Sequence, residues 1–306
     1  LLSAVGFVVF FKLVFAARVS WRHGAPAGLR ALAATTILPA GGLIGPGVGA
    51  WSAGAEKPSL GQLARSTVTF ALLSSAPAVV ALATLGTLLW LGMPGGPHQA
   101  ALTILPASLA AVVIGAIWLA GRASPLAGRA SPLAGRASRR RRLRRPHGRL
   151  ASAVGSGADG VADAEALLRA GDWKLLGSLA YFAFDGAVLW AAFHAYGHTP
   201  PIGVIGMGYL VGSLAGALPL PAGLGAVDGG LIGALALYGA PLAPAAAAVL
   251  LYRGISLSLP IALGAAAWMW SPATRTTEGR RVRPGQRARA RRRAAAAELA
   301  TARAQA

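Results

Sequence analysis

Arg253 stands ten residues into an apolar stretch that runs from about Ala243 to Trp270. In a helix rising 1.5 Å per residue that is roughly 15 Å of depth. A guanidinium buried so far from either end is rare and costly, and it normally faces a cavity or an oppositely charged partner. Tyr252 precedes it. Two carboxylates are at hand: Asp228, seven residues past Pro221, and Asp185, in the middle of a second apolar stretch from Lys174 to Tyr196. An arginine and a carboxylate in such surroundings allow two kinds of chemistry. The arginine can bind an anionic group, with Asp228 holding it in place while that group is absent, or the two can form a purely structural pair. Asp185 is open in the same way, as a proton carrier or as a satisfied polar residue in a helix contact.

Two Pro-Gly clusters are the other candidates, Pro39-Ala40-Gly41-Gly42 and Pro221-Ala222-Gly223-Leu224-Gly225. Proline removes a backbone donor and glycine permits non-helical dihedrals, so each cluster breaks the apolar segment that contains it. Lipid cannot satisfy the freed N–H and C=O groups, and such breaks must face protein or a water-filled cavity. Pro39, Gly41, Gly42, Pro221, Gly223 and Gly225 are therefore expected to turn inward, with the glycines and their neighbours offering backbone donors, or else to be breaks packed against neighbours. Catalysis has no visible machinery. The chain has no cysteine, no nucleophile elbow, no phosphate-binding loop and no HExxH. His194 and His198 are four apart, but the second lies in a connecting loop, which argues against a metal pair. Neither enzyme activity, nor a metal, nor a cofactor is expected.

The elements that must position these residues follow from composition. Of 306 residues 55% are hydrophobic and only 12% charged, with a mean hydropathy of +0.57; an ordinary soluble domain has roughly 25% charged residues. Segments at Leu1 to Ala17, about Leu63 to Leu91, about Ala100 to Ala120, Lys174 to Tyr196 and about Ala243 to Trp270 read as membrane helices, for which about 20 apolar residues suffice. The formal charge of +20 is concentrated: of 29 Lys and Arg, ten lie from Arg122 to Arg149 and ten from Arg275 to Arg303. That distribution argues against a nucleic-acid partner and for one loop and one tail that fix topology or attract anionic lipids. Leu1 already lies inside an apolar run, so an upstream helix is expected as well.

Basic residues flank the first segment (Arg18, Arg22, Arg30), precede the second (Lys57, Arg65), follow the third, precede the fourth (Arg169, Lys174) and follow the last, whereas 92–99, 197–199 and 239–242 contain none. If the two broken segments, about Ala25 to Ala55 and Pro200 to Gly239, each enter and leave on one face, every basic stretch is cytoplasmic. The expected architecture is an all-α polytopic protein of five full spans and two re-entrant hairpins, in a cell membrane, with the Arg-rich loop and C-terminal tail cytoplasmic. Its divisions are a first membrane half over 1–120, a linker over 121–172, a second membrane half over 173–270 and a basic tail over 271–306. Within the linker Gly121 to Ser138 reads GRASPLA, GRASPLA, GRAS, whose prolines forbid a continuous coiled coil, so disorder is expected. Leu38-Pro39-Ala40-Gly41 matches Leu220-Pro221-Ala222-Gly223, and a second proline follows in each half, Pro77 and Pro260. That pattern suggests an inverted repeat with discontinuous helices, a transporter signature.

The stretch from Leu218 to Gly264 resembles the hallmark of the lysylphosphatidylglycerol synthase transmembrane region, also called the flippase-like membrane family. The matching features are the turn Pro221 to Gly225, the acidic Asp228 and the pair Tyr252-Arg253; Trp21-Arg22 and Ile37 to Gly42 add a weaker match. The family usually has Glu where Asp228 stands. The resemblance implies a domain that moves or accommodates a lipid with a polar headgroup, such as an aminoacyl-phosphatidylglycerol or a related anionic or polyprenyl lipid, between leaflets. Membrane lipids and their anionic headgroups are then the expected partners. The competing expectation is a non-transporting subunit that anchors or regulates a lipid- or envelope-modifying enzyme through its Arg-rich loop and tail.

Overall fold

In the computed structural model, the described residues are 1–17, 19–53, 58–92, 96, 98–112, 115–116, 148–197, 199–214 and 225–270, without the side chains of 148–156 and 158. Among them the protein is all helical, with no strand. The elements are α1 (Leu2–Phe15), α2 (Trp21–Ile37), α3 (Gly41–Ala53), α4 (Leu60–Trp90), α5 (Gly148–Ala170), α6 (Leu176–Ala195), α7 (Ile202–Ser213), α8 (Ala226–Leu237) and α9 (Leu242–Met269). Residues 104–112 are also helical.

Among the described residues three stretches are long and apolar enough to cross a membrane: Leu60–Trp90, Trp173–Ala195 and Leu242–Met269. The protein is thus a polytopic α-helical membrane protein. Five full spans are expected from sequence. Of the other two, α1 measures 14 residues, and the segment from about Ala100 to Ala120 lies partly outside the described residues; the duplicated repeat over 121–138 and the tail over 271–306 lie wholly outside them.

Both broken segments fold as helical hairpins. In the first, α2 ends at Ile37, Ala40 takes φ 52° and α3 starts at Gly41. The arms then run antiparallel at glycine-limited distance. A Cβ on Gly41 would lie 2.0 Å from the Thr35 carbonyl, one on Gly45 2.3 Å from Thr35 Oγ1, and one on Gly49 2.5 Å from Ala31 Cβ. The second hairpin pairs α7 with α8, where a Cβ on Gly212 would lie 2.7 Å from Leu231 Cα. Its arms have 12 residues each, about 18 Å of helix against about 30 Å of hydrocarbon.

The packing exchanges the two halves. Helices α1 and α6 cross antiparallel through a reciprocal contact, since a Cβ on Gly6 would lie 2.8 Å from the Gly177 carbonyl and one on Gly177 2.6 Å from that of Gly6. Without a hydrophobic force between helices in lipid, such small-residue contacts hold them. Helix α2 packs antiparallel on α9 through Ala33 and Gly264, and its counterpart α7 packs antiparallel on α4, the counterpart of α9, through Gly206 and Leu85. Pro77 and Pro260 sit 17 and 18 residues into these two long helices. The repeat legible in the sequence is therefore a repeat of architecture with inverted direction. Two core clusters form, one around Phe7, Phe10, Phe11 and Phe70 and one around Leu189, Phe193, Met207, Leu235 and Val249, into which α4 of the first half inserts Leu82 and Leu89.

Helix α5 has no forerunner in the sequence reading. Only five of its 23 residues are Leu or Val, but Gly160 lets it approach α4 so closely that the Thr69 hydroxyl donates to the Gly160 carbonyl at 3.0 Å, and Arg65 clamps Asp163 with two nitrogens. Asp172 then starts the turn into α6, accepting from the Lys174 backbone N–H at 3.0 Å and from its ammonium at 2.9 Å. Those bonds, the backbone one first, hold the Asp172 carboxyl below the usual carboxylate range. Arg30 is the clearest departure from expectation. Read as a flanking cytoplasmic charge, it lies instead inside α2, 7% exposed, because the helix entered at Trp21 continues well past it.

Candidate functional site

Helix α9 presents Tyr252 and Arg253 in succession, and since neighbouring helical residues point about 100° apart they reach different partners. The Tyr252 hydroxyl donates to Asp185 Oδ2 at 2.6 Å, and the Tyr209 hydroxyl donates to the same oxygen at 2.8 Å. One carboxylate thus ties α6, α7 and α9 together, with the two tyrosine rings edge to face at 6.4 Å. Tyr252 is 6% exposed, and a buried carboxylate with two hydroxyl donors is a satisfied polar group. This is the helix-contact reading of Asp185.

Arg253 turns to the second hairpin. Its Nε donates to Asp228 Oδ1 at 2.6 Å, with the two side chains 13% and 22% exposed. Asp228 is placed by its own helix. It is the third residue of α8, and its Oδ2 accepts the Gly225 N–H at 3.0 Å. Gly225 has φ 80°, a conformation that only glycine adopts without strain. A carboxylate in a first helical turn is favoured by the helix dipole, so Asp228 is held from one side by α8 and from the other by Arg253. A guanidinium beside a helix N-terminus suits an oxyanion.

The geometry joins Arg253 with Asp228 and Gly225, and Tyr252 with Asp185. Pro221 and Gly223 lie outside the described residues. Gly41 is used up by contact with Thr35, and Pro39 and Gly42 are exposed at the turn of the first hairpin. His194 bonds to the carbonyl of Trp190 at 3.0 Å within its own helix. Sequence reasoning overlooked Tyr209, whose one signal is a phenol amid the glycines and aliphatics of α7, and the burial of Arg30, whose signal is a charge within an otherwise apolar third turn of α2.

A family model described as the lysylphosphatidylglycerol synthase TM region matches residues 1–264. The chain belongs to that family. The match takes in both hairpins, the Asp228 and Tyr252-Arg253 features and most of α9, so membership rests on the whole membrane architecture and not on the second-half motif alone. The lysylphosphatidylglycerol synthase TM family associates the protein with lipid-related work in a membrane. Comparison with curated proteins and with solved structures returns no match.

Proposed function

We propose that this member of the family is a flippase-like transporter that moves a lipid with a polar, anionic headgroup across the cell membrane, without itself catalysing a covalent step. The observation that carries the reading is the Arg253–Asp228 pair at 2.6 Å, joining the long helix α9 to the first turn of a half-length helix. In the empty state Asp228 neutralises Arg253. An incoming phosphate ester offers Arg253 a second anion, and the guanidinium fork can pass from carboxylate to phosphate without being left uncompensated. Asp185, held by Tyr209 and Tyr252, fixes the helices that frame this exchange. The acyl or prenyl chains stay in the bilayer while the headgroup passes between the hairpins.

Aminoacyl-phosphatidylglycerol, phosphatidylglycerol and polyprenyl phosphates share the required chemistry. In this reading the Arg-rich loop and the tail lie on the cytoplasmic side, where they collect anionic lipid near the site. The test is leaflet-resolved accessibility of fluorescent analogues of these three lipids in proteoliposomes that contain the purified protein. Movement of one class above protein-free vesicles supports transport, and no movement of any class sinks it.

A further inference from the structure

Arg30 is the second buried guanidinium of the membrane region, and the site around Arg253 does not use it. It lies in the interior of α2 at 7% exposure, and its Nη2 donates to the Ala267 carbonyl of α9 at 3.0 Å. That carbonyl is among the last four of α9, where helical carbonyls run short of intrahelical donors. The guanidinium also lies 5.1 Å from the centroid of the Trp268 ring, a favourable place for a cation. One turn away Ala33 packs on Gly264, where a Cβ would come within 2.2 Å. Arg30 therefore clasps the α2–α9 seam, while the reciprocal α4–α7 seam closes by Leu85 against Gly206. The clasp is incomplete: Arg30 Nε is buried and has no hydrogen-bond partner. Nor, among the described residues, does the guanidinium have a carboxylate, in contrast to Arg253 and to Arg65. Buried polar groups in native structures are normally satisfied, and an orphaned donor calls for a partner.

We infer that Arg30 is a releasable clasp, which exchanges the Ala267 carbonyl for the phosphate oxygens of an anionic headgroup and so opens the α2–α9 seam. The inference rests on the transport reading for its purpose, though not for its chemistry. A phosphate ester gives Arg30 two acceptors in the fork geometry of a guanidinium, where one carbonyl now serves. Once the guanidinium leaves, the bond from Arg30 to Ala267 that holds α2 to the end of α9 is gone. Because the two seams are exchanged by the inverted repeat, a cation on only one of them makes that seam the one that answers to ligand charge.

The chain has no cysteine, so a single Ala267→Cys reporter, buried at 6% exposure, reads seam opening by its rate of reaction with a water-soluble maleimide. The backbone carbonyl that Arg30 uses is kept. In nanodiscs of neutral lipid the reporter should react slowly, and added phosphatidylglycerol should speed it about tenfold, the equivalent of one charge-assisted bond. Inorganic phosphate is the second arm. Acceleration by both assigns the response to phosphate chemistry in general, and acceleration by phosphatidylglycerol alone assigns it to a lipid. Arg30→Lys keeps the charge and one bond to Ala267 but loses the fork, so its reporter should stay slow under either addition. Arg30→Ala should react fast without any addition. A wild-type reporter indifferent to both phosphate sources overturns the inference, as does an Arg30→Lys reporter that responds like wild type. The readout needs no lipid movement, so a response that persists in a protein unable to transport would leave the clasp standing while the transport reading fell.

Discussion

Arg253 Nε and Asp228 Oδ1, 25 residues apart in the chain, meet at 2.6 Å across two helices, Asp228 in the first turn of α8 and Arg253 in the interior of α9. Each partner has a second attachment, Asp228 to the Gly225 N–H and Arg253 to the backbone of a spanning helix, so the pair fixes how the second hairpin sits on α9. Asp228→Asn, which leaves a poorly solvated guanidinium without its counter-charge, should cost about 3 kcal/mol. A double change, Asp228→Leu with Arg253→Met, should recover most of that loss, less about 1 kcal/mol for the missing helix cap. Thermal unfolding in detergent checks both, and recovered stability without recovered lipid movement separates the site's function from its structural contribution.

Tyr209 and Tyr252 donate to one oxygen of Asp185. Either Phe substitution leaves Asp185 one phenol donor, and each should cost about 1 kcal/mol. The double substitution removes both and should cost clearly more than the sum, because the last bond lost exposes the full desolvation penalty of the carboxylate. A double-mutant cycle on melting temperature reads the coupling. Strict additivity would contradict the shared-acceptor geometry.

The first hairpin distinguishes glycines that look alike in sequence. Gly45→Ala would set a Cβ 2.3 Å from Thr35 Oγ1, whereas a Cβ on Gly42 meets nothing within 4 Å. Gly45→Ala should therefore destabilise by about 2 kcal/mol as an overpacked contact, and Gly42→Ala should be neutral or slightly stabilising. Ala40, at φ 52°, should gain about 1 kcal/mol on substitution by glycine. Melting temperatures of the three variants test this ordering.

Helix α5 docks on α4 through Gly160 and the Arg65–Asp163 ion pair. The ion pair is exposed and contributes little, so the close approach at Gly160, which also lets Ala164 and Leu167 reach the core, carries the docking. Gly160→Leu should release α5 and raise the rate of limited proteolysis within 148–170, whereas Asp163→Asn should barely change it.

Much of this architecture is legible in the sequence for identifiable reasons. A Pro-Gly cluster announces a chain break wherever it falls, so both hairpins could be placed, and the repeat of Leu-Pro-Ala-Gly pointed to an inverted repeat, though not to which helices of the two halves pack together. A charge ten residues into an apolar run is equally conspicuous, which made Arg253 and its neighbour Asp228 readable as a pair. Other features are decided by tertiary contact. Arg30 is a flanking charge if α2 begins late and a buried one if it begins at Trp21, and hydropathy does not choose between them. Tyr209 gains its meaning only when the α7 arm turns it toward α6. Helix α5 is held by a glycine contact and by a hydroxyl bond to a carbonyl, neither of which leaves an apolar period in the sequence.

The central claim is that Arg253 binds the headgroup of a lipid in transit. Leaflet-resolved accessibility of the transported lipid, measured side by side for wild type and Arg253→Ala at matched folding and reconstitution, tests it most directly. Loss of movement in an Arg253→Ala protein that melts as a folded species is the predicted result, and wild-type movement by that variant would contradict the account.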